Sequence, residues 1–80
     1  MTKTLVELRP KETGTIVALG GGRGMQERLR RMGLEEGQRI QKLSALAWGG
    51  PVVVLVNRAQ VALGQGMARR ILIRLDGQGS

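Results

Sequence analysis

Five residues in the first third of the chain, Gly20-Gly-Gly-Arg-Gly24, have the composition of an anion cradle. Backbone N–H groups ahead of a helix can hold phosphate because their dipoles add. The spacing is not that of a Walker A loop, and no Lys-Ser or Lys-Thr pair follows. As a dinucleotide fingerprint it lacks the third glycine and an acidic residue about 20 positions on. A flexible connector is the better reading. Met25, Met32 and Met67 offer soft sulfur, but methionine at helical spacing is usually core filling. Glu35 and Glu36 are adjacent carboxylates in a turn, a poor arrangement for acid–base catalysis. The chain has no cysteine and no histidine. Disulfides, thiolate sites and most transition-metal chemistry are therefore excluded, as are Ser-His-Asp and Cys-His constellations. The inventory argues against an enzyme and requires neither a metal nor a cofactor.

Binding remains. Thirteen Lys and Arg face six Asp and Glu, a formal charge of +7. That balance favours an acidic partner: nucleic acid, an anionic membrane surface or an acidic protein patch. The tight cationic clusters are Arg28/Arg30/Arg31 and Arg69/Arg70. Arginines of this kind contact phosphate, but no aromatic residues are interleaved to stack bases. The single aromatic, Trp48, sits beside Gly49-Gly50-Pro51. It reads either as an exposed contact residue or as a lid over one end of the fold.

The elements that must position these groups are short. Met25, Leu29 and Met32 recur at i, i+4 and i+7 and define one face of a helix over about residues 24–32. Gly22 or Gly24 is its weak N-terminal cap. Gly33 fits the left-handed position after its last turn, and Leu34 can fold back onto Leu29. Glu27 and Arg31 are spaced for an ion pair. Residues 5–8 form a short apolar segment before a turn at Pro10. Residues 15–19, 39–43, 52–56, 60–63 and 71–75 read as strands, with a turn at Asn57-Arg58 and a helical turn near 64–69. Ile40 and Leu43 share a face only if a bulge falls near Gln41 or Lys42. Residues 76–80 read as a frayed tail. Eighty residues suit one domain, 1–80, with an aliphatic core. No stretch is long and apolar enough to span a membrane, and residues 1–7 lack the apolar core of a signal peptide.

The ordered set of motifs resembles the ferrous-iron transport protein A (FeoA) family. Residues 5–16 resemble its opening Leu-x-Pro-x-x-x-Gly segment. Arg28-Leu29-x-x-Met32-Gly33-Leu34-x-x-Gly37-x-x-Ile40 is similar to its most distinctive motif. Pro51-Val52, Val54, Val61-Ala62-Leu63 and Ala68-x-x-Ile71-x-Ile73 are similar to its central hairpin and closing strand. Gly64 and Met67 depart from the family, where Arg and an acidic residue are frequent. The resemblance implies a mainly β fold, a small SH3-like β-barrel with one inserted α-helix. It also implies a cytoplasmic, non-enzymatic accessory role in bacterial ferrous-iron uptake, with the FeoB permease as partner. Arg28, Arg31, Trp48 and Pro51 are the expected contact residues, and Leu29, Met32, Gly33, Leu34 and Gly37 the architectural ones. The alternatives are a regulatory domain related to iron-dependent repressors and a basic nucleic-acid-binding barrel, the latter disfavoured by the missing aromatics. Exposed strand edges leave room for a homo-oligomer.

Overall fold

The computed structural model describes residues 1–45 and 49–76. Six strands form one antiparallel sheet: β1 (Thr2–Thr4), β2 (Thr13–Leu19), β3 (Arg39–Ala45), β4 (Val52–Val56), β5 (Ala59–Leu63) and β6 (Ile71–Leu75). Their spatial order is β1-β6-β2-β3-β4-β5. A 3₁₀ turn, Leu5–Glu7, follows β1; helix α1 (Arg23–Arg31) joins β2 to β3; helix α2 (Gln65–Ala68) joins β5 to β6. The small mainly β fold with an inserted helix and a helical turn near 64–69 is therefore as expected. The sheet is not closed, because β1 and β5 are its two edges.

Alternation builds the core. Ile71 and Ile73 of β6, Ile16 of β2, Ile40 of β3, and Val52, Val54 and Val56 of β4 face inward with Leu63. Leu5 and Leu8 bring the 3₁₀ turn onto this layer, and Leu29 and Leu34 bring α1. The Asn57-Arg58 turn has φ of 55° and 65°. Two left-handed residues in succession form the turn whose twist matches an antiparallel pair. Gly14 is required by close approach rather than by its dihedral angles. A Cβ there would lie 2.5 Å from the Arg74 carbonyl oxygen and from Ile73 Cγ2.

Three local expectations need correction. The bulge in β3 falls between Lys42 and Ser44, one residue later than expected. The inner face is consequently given to Lys42, while Leu43 is half-buried. Asp76 is not frayed: it accepts hydrogen bonds from the Thr13 hydroxyl and, at 2.7 Å, from Arg39. The strand β1 was not foreseen, because Thr2–Thr4 has no apolar alternation and is held by pairing with β6.

Candidate partner-binding surface

The inner side of β3 carries the one buried charged side chain among the described residues. Lys42 is 3% exposed. Its ammonium donates to the carbonyls of Leu8 at 2.6 Å, Val6 at 2.9 Å and Leu5 at 3.3 Å. An ammonium has three donors, and here each has an acceptor. Burial pushes its pKa below the usual lysine value, and the negative charge of Glu12 partly restores it. A buried lysine with a lowered pKa is the common mark of amine catalysis. The geometry argues otherwise: the Nζ protons are committed to the backbone, and Lys42 lines neither surface depression described below. Its role is to hold the 3₁₀ turn against the sheet.

Helix α1 presents the expected cations. Arg28 and Arg31 are exposed. The helix ends as its residues require. The Gly33 N–H donates to Arg30 O at 2.9 Å, and the Leu34 N–H to Leu29 O at 3.0 Å. Those two bonds with φ of 92° at Gly33 make a Schellman ending, and both Leu29 and Leu34 are fully buried. Met32 is half-buried against the core. Gly37, also at φ 92°, sends its N–H to Ile16 O at 2.7 Å and so returns the chain to β2. The expected Glu27–Arg31 pair is absent from the ion pairs among the described residues; Arg30 instead meets Glu36 at 3.3 Å. Sequence spacing favoured the local pair, but the Gly33 turn folds Glu36 back toward the helix.

Pro51 is exposed at the head of β4. Trp48 lies outside the described residues. The segments carrying α1 and Pro51 share an anchor. The Gly20 N–H, before α1, donates to Arg70 O at 2.6 Å. The Gln65 side-chain amide donates to Gly50 O at 2.9 Å. No hydrogen bond or ion pair among the described residues joins Arg28 or Arg31 to Pro51 directly.

Two surface depressions are lined by cations. One, about 250 Å³, is lined by Thr13, Arg39, Gln41, Leu55, Asn57 and Arg58 on the outer face of the sheet. Arg39 is already engaged there by Asp76 at 2.7 Å. The other, about 460 Å³, lies between the 3₁₀ turn and the start of β6, lined by Thr4, Val6, Glu7, Arg69 and Arg70. Neither Arg69 nor Arg70 has an ion-pair partner among the described residues. Sequence reading marked these two arginines as a cluster but could not place them opposite residues 4–7, because only the fold brings the two segments together. No group of three or more His, Cys, Asp or Glu among the described residues is arranged to hold a metal ion. Among the same residues, no helix is long and apolar enough to cross a membrane.

Comparison with known proteins adds to this geometry. The FeoA domain family matches residues 3–75. The crystal structure of an iron uptake regulatory protein (FeoA) is similar at 33% identity, covering 95% of this chain and 99% of that one, with a TM-score of 0.86. The solution structure of a FeoA protein from Chlorobium tepidum is 22% identical over 95% of this chain and 73% of that one, with a TM-score of 0.82. A manganese-dependent transcriptional repressor is 22% identical over 94% of this chain but only 42% of its own, with a TM-score of 0.87. No curated protein matches at the sequence level.

Proposed function

The chain belongs to the FeoA domain family, and from that premise we propose that it is a cytoplasmic, non-enzymatic accessory protein of bacterial ferrous-iron uptake that binds the cytoplasmic part of the FeoB permease. The carrying observation is the family match across residues 3–75, reinforced by a FeoA structure 33% identical along almost its whole length. Members of this family are associated with ferrous-iron transport. The exposed arginines of α1 suit acidic groups on such a partner, and charge complementarity would speed and orient the encounter. Arg28 and Arg31 supply that charge. Trp48 and Pro51 supply apolar anchoring, and Leu29, Met32, Gly33, Leu34 and Gly37 hold the helix in place.

The test is a titration against the purified permease, with a DNA oligonucleotide in parallel. Salt of about 0.15 M screens loose charge pairing beyond roughly 8 Å. Saturable binding to the permease alone is expected. Trp48→Ala should weaken it about tenfold or more, as loss of an interface anchor does, with little change in stability. Binding to the oligonucleotide alone would refute the accessory reading.

A second reading has one observation in its favour. The likeness to a manganese-dependent repressor shows that the same fold occurs within a regulator. On that reading this chain would act in trans on a DNA-binding protein, and the titration would be repeated with a repressor as ligand.

A further inference from the structure

We infer that the depression between the 3₁₀ turn and the start of β6 is a docking groove for an extended acidic segment of a partner protein, with Arg69 and Arg70 as its charged wall. The identity of the protein carrying that segment rests on the accessory reading above; the chemistry of the groove does not.

Consider first what the two arginines do within the fold. They follow α2, where cations complement helix carbonyls. That helix is a single turn, however, and neither guanidinium donates a hydrogen bond to its carbonyls among the described residues. Both side chains are exposed. The only carboxylate among the described lining residues is Glu7, and it is turned back on its own backbone. Its Oε1 accepts the Thr4 N–H at 2.8 Å, closing a capping box around the 3₁₀ turn. Glu7 therefore shares the groove with Arg69 and Arg70 and makes an ion pair with neither. Among the described residues, two positive charges are left without a carboxylate partner at the rim of a depression of about 460 Å³.

The walls are fixed before any ligand arrives. Lys42 holds three carbonyls of the turn from beneath. On the opposite side the Arg70 carbonyl is bonded to the Gly20 N–H, and the Arg70 N–H to Met67 O at 3.0 Å. A groove ordered in advance loses less entropy on binding than a loop that must close.

The lining chooses among acidic ligands. Half-buried Val6 gives the groove an apolar element, and Leu72, 37% exposed, is the cross-strand neighbour of Thr4 in its lining. Residues directly opposite on paired strands share a face. Apolar surface between cations suits a peptide that alternates acidic and aliphatic side chains. A phosphate chain fits poorly. Among the described residues no aromatic lines the groove to stack a base.

The experiment uses the full chain and a fluorescein-labelled peptide of alternating Glu and Leu, followed by fluorescence anisotropy at about 0.15 M salt. A single-stranded DNA oligonucleotide and a Lys/Leu peptide serve as parallel probes. Saturable binding of the Glu/Leu peptide alone is expected. It should weaken at least tenfold in Arg69→Gln/Arg70→Gln and stay within about twofold in Arg23→Gln/Arg58→Gln, exposed arginines outside both the groove and the Arg28/Arg31 surface. Circular dichroism of each variant establishes that it is folded. Equal binding by the Arg69→Gln/Arg70→Gln protein, absence of saturable binding, or a preference for the oligonucleotide would each overturn the groove. The same variants titrated against the permease separate the two claims. Permease binding that ignores Arg69 and Arg70 leaves the accessory role standing and removes the groove from it. Peptide binding without permease binding leaves the groove and removes the proposed partner.

Discussion

Replacing Lys42 with methionine tests whether a buried charge holds this fold together. The side chain stays unbranched, becomes one atom shorter and loses its three donors. The carbonyls of Leu5 and Leu8 are buried and would be left without that partner; the Val6 carbonyl is only partly buried and can rehydrate. Leu5 O keeps the Leu8 N–H at 3.3 Å, so Leu8 O is the buried acceptor stripped of its donor, at a cost of about 1–3 kcal/mol. Methionine also removes the penalty of dehydrating an ammonium, several kcal/mol in the opposite direction. Three bonds to oriented carbonyls, two of them at 2.6 and 2.9 Å, indicate that the cage outweighs that penalty. We expect Lys42→Met to destabilise the protein by about 1–2 kcal/mol, the lower half of that range, once relief and relaxation of the turn are allowed. In a domain of this size that lowers Tm by about 4–16 °C. Lys42→Ala should be worse by a further 2–3 kcal/mol or so, because its stem of methylenes is also lost. Urea unfolding followed by circular dichroism measures both, and hydrogen exchange at the Leu8 amide, which donates to Leu5 O at 3.3 Å, reports the turn itself. A methionine variant as stable as the parent, with unchanged exchange at Leu8, would refute the reasoning.

Gly14→Ala should destabilise by about 2 kcal/mol or more, since overpacking commonly costs 1–3 kcal/mol and one of the obstructing atoms is the backbone oxygen of Arg74; chemical denaturation would show it. Gly33→Ala should cost about 1–2 kcal/mol, the left-handed penalty for a Cβ. Its Cβ would meet nothing within 4 Å, so any loss is conformational rather than steric. Glu12 gives a pH dependence. Its carboxylate accepts the Arg9 N–H at 2.7 Å and lies 3.8 Å from Lys3, and these hold its pKa below the ordinary value of 4.5, the Arg9 bond chiefly. Below that value the unfolded chain binds the proton more readily, so this stabilisation is present above pH 4.5 and is lost as pH falls through the folded-state pKa. Glu12→Gln should flatten the acid limb of a stability-against-pH curve; an unchanged slope would contradict the assignment.

Features encoded within a few consecutive residues were legible. The Gly33-Leu34 helix ending, the Asn57-Arg58 turn, and the inward alternation of Ile71 and Ile73 need only local geometry. What escaped depends on residues far apart in the chain. Lys42 could have been found: it sits two residues after Ile40 and thus on the same face of a strand. The bulge after it, and the carbonyls that make its burial tolerable, come from pairing with β4 and from the 3₁₀ turn. The outer anchoring of Asp76 needs Thr13 and Arg39. The Arg69/Arg70 groove needs Thr4–Glu7, more than sixty positions earlier in the sequence. Composition announced a basic surface; topology decided which arginines share a cavity.

The placement of β6 between β1 and β2 also constrains the order of assembly. Thr2–Thr4 pairs only with residues 72–74, and residues 14–19 of β2 share the same strand. During synthesis the first strand therefore waits for residues 72–74 to leave the ribosome, while β3, β4 and β5 can pair with their neighbours in sequence as they emerge. A chain stalled before residue 71 holds β2 with one edge open and β1 with no strand beside it. Such distant pairings close slowly, because loop entropy is spent before contacts return it. The last strand to be made is thus the one that completes the sheet, and the groove beside it exists only once that strand is in place.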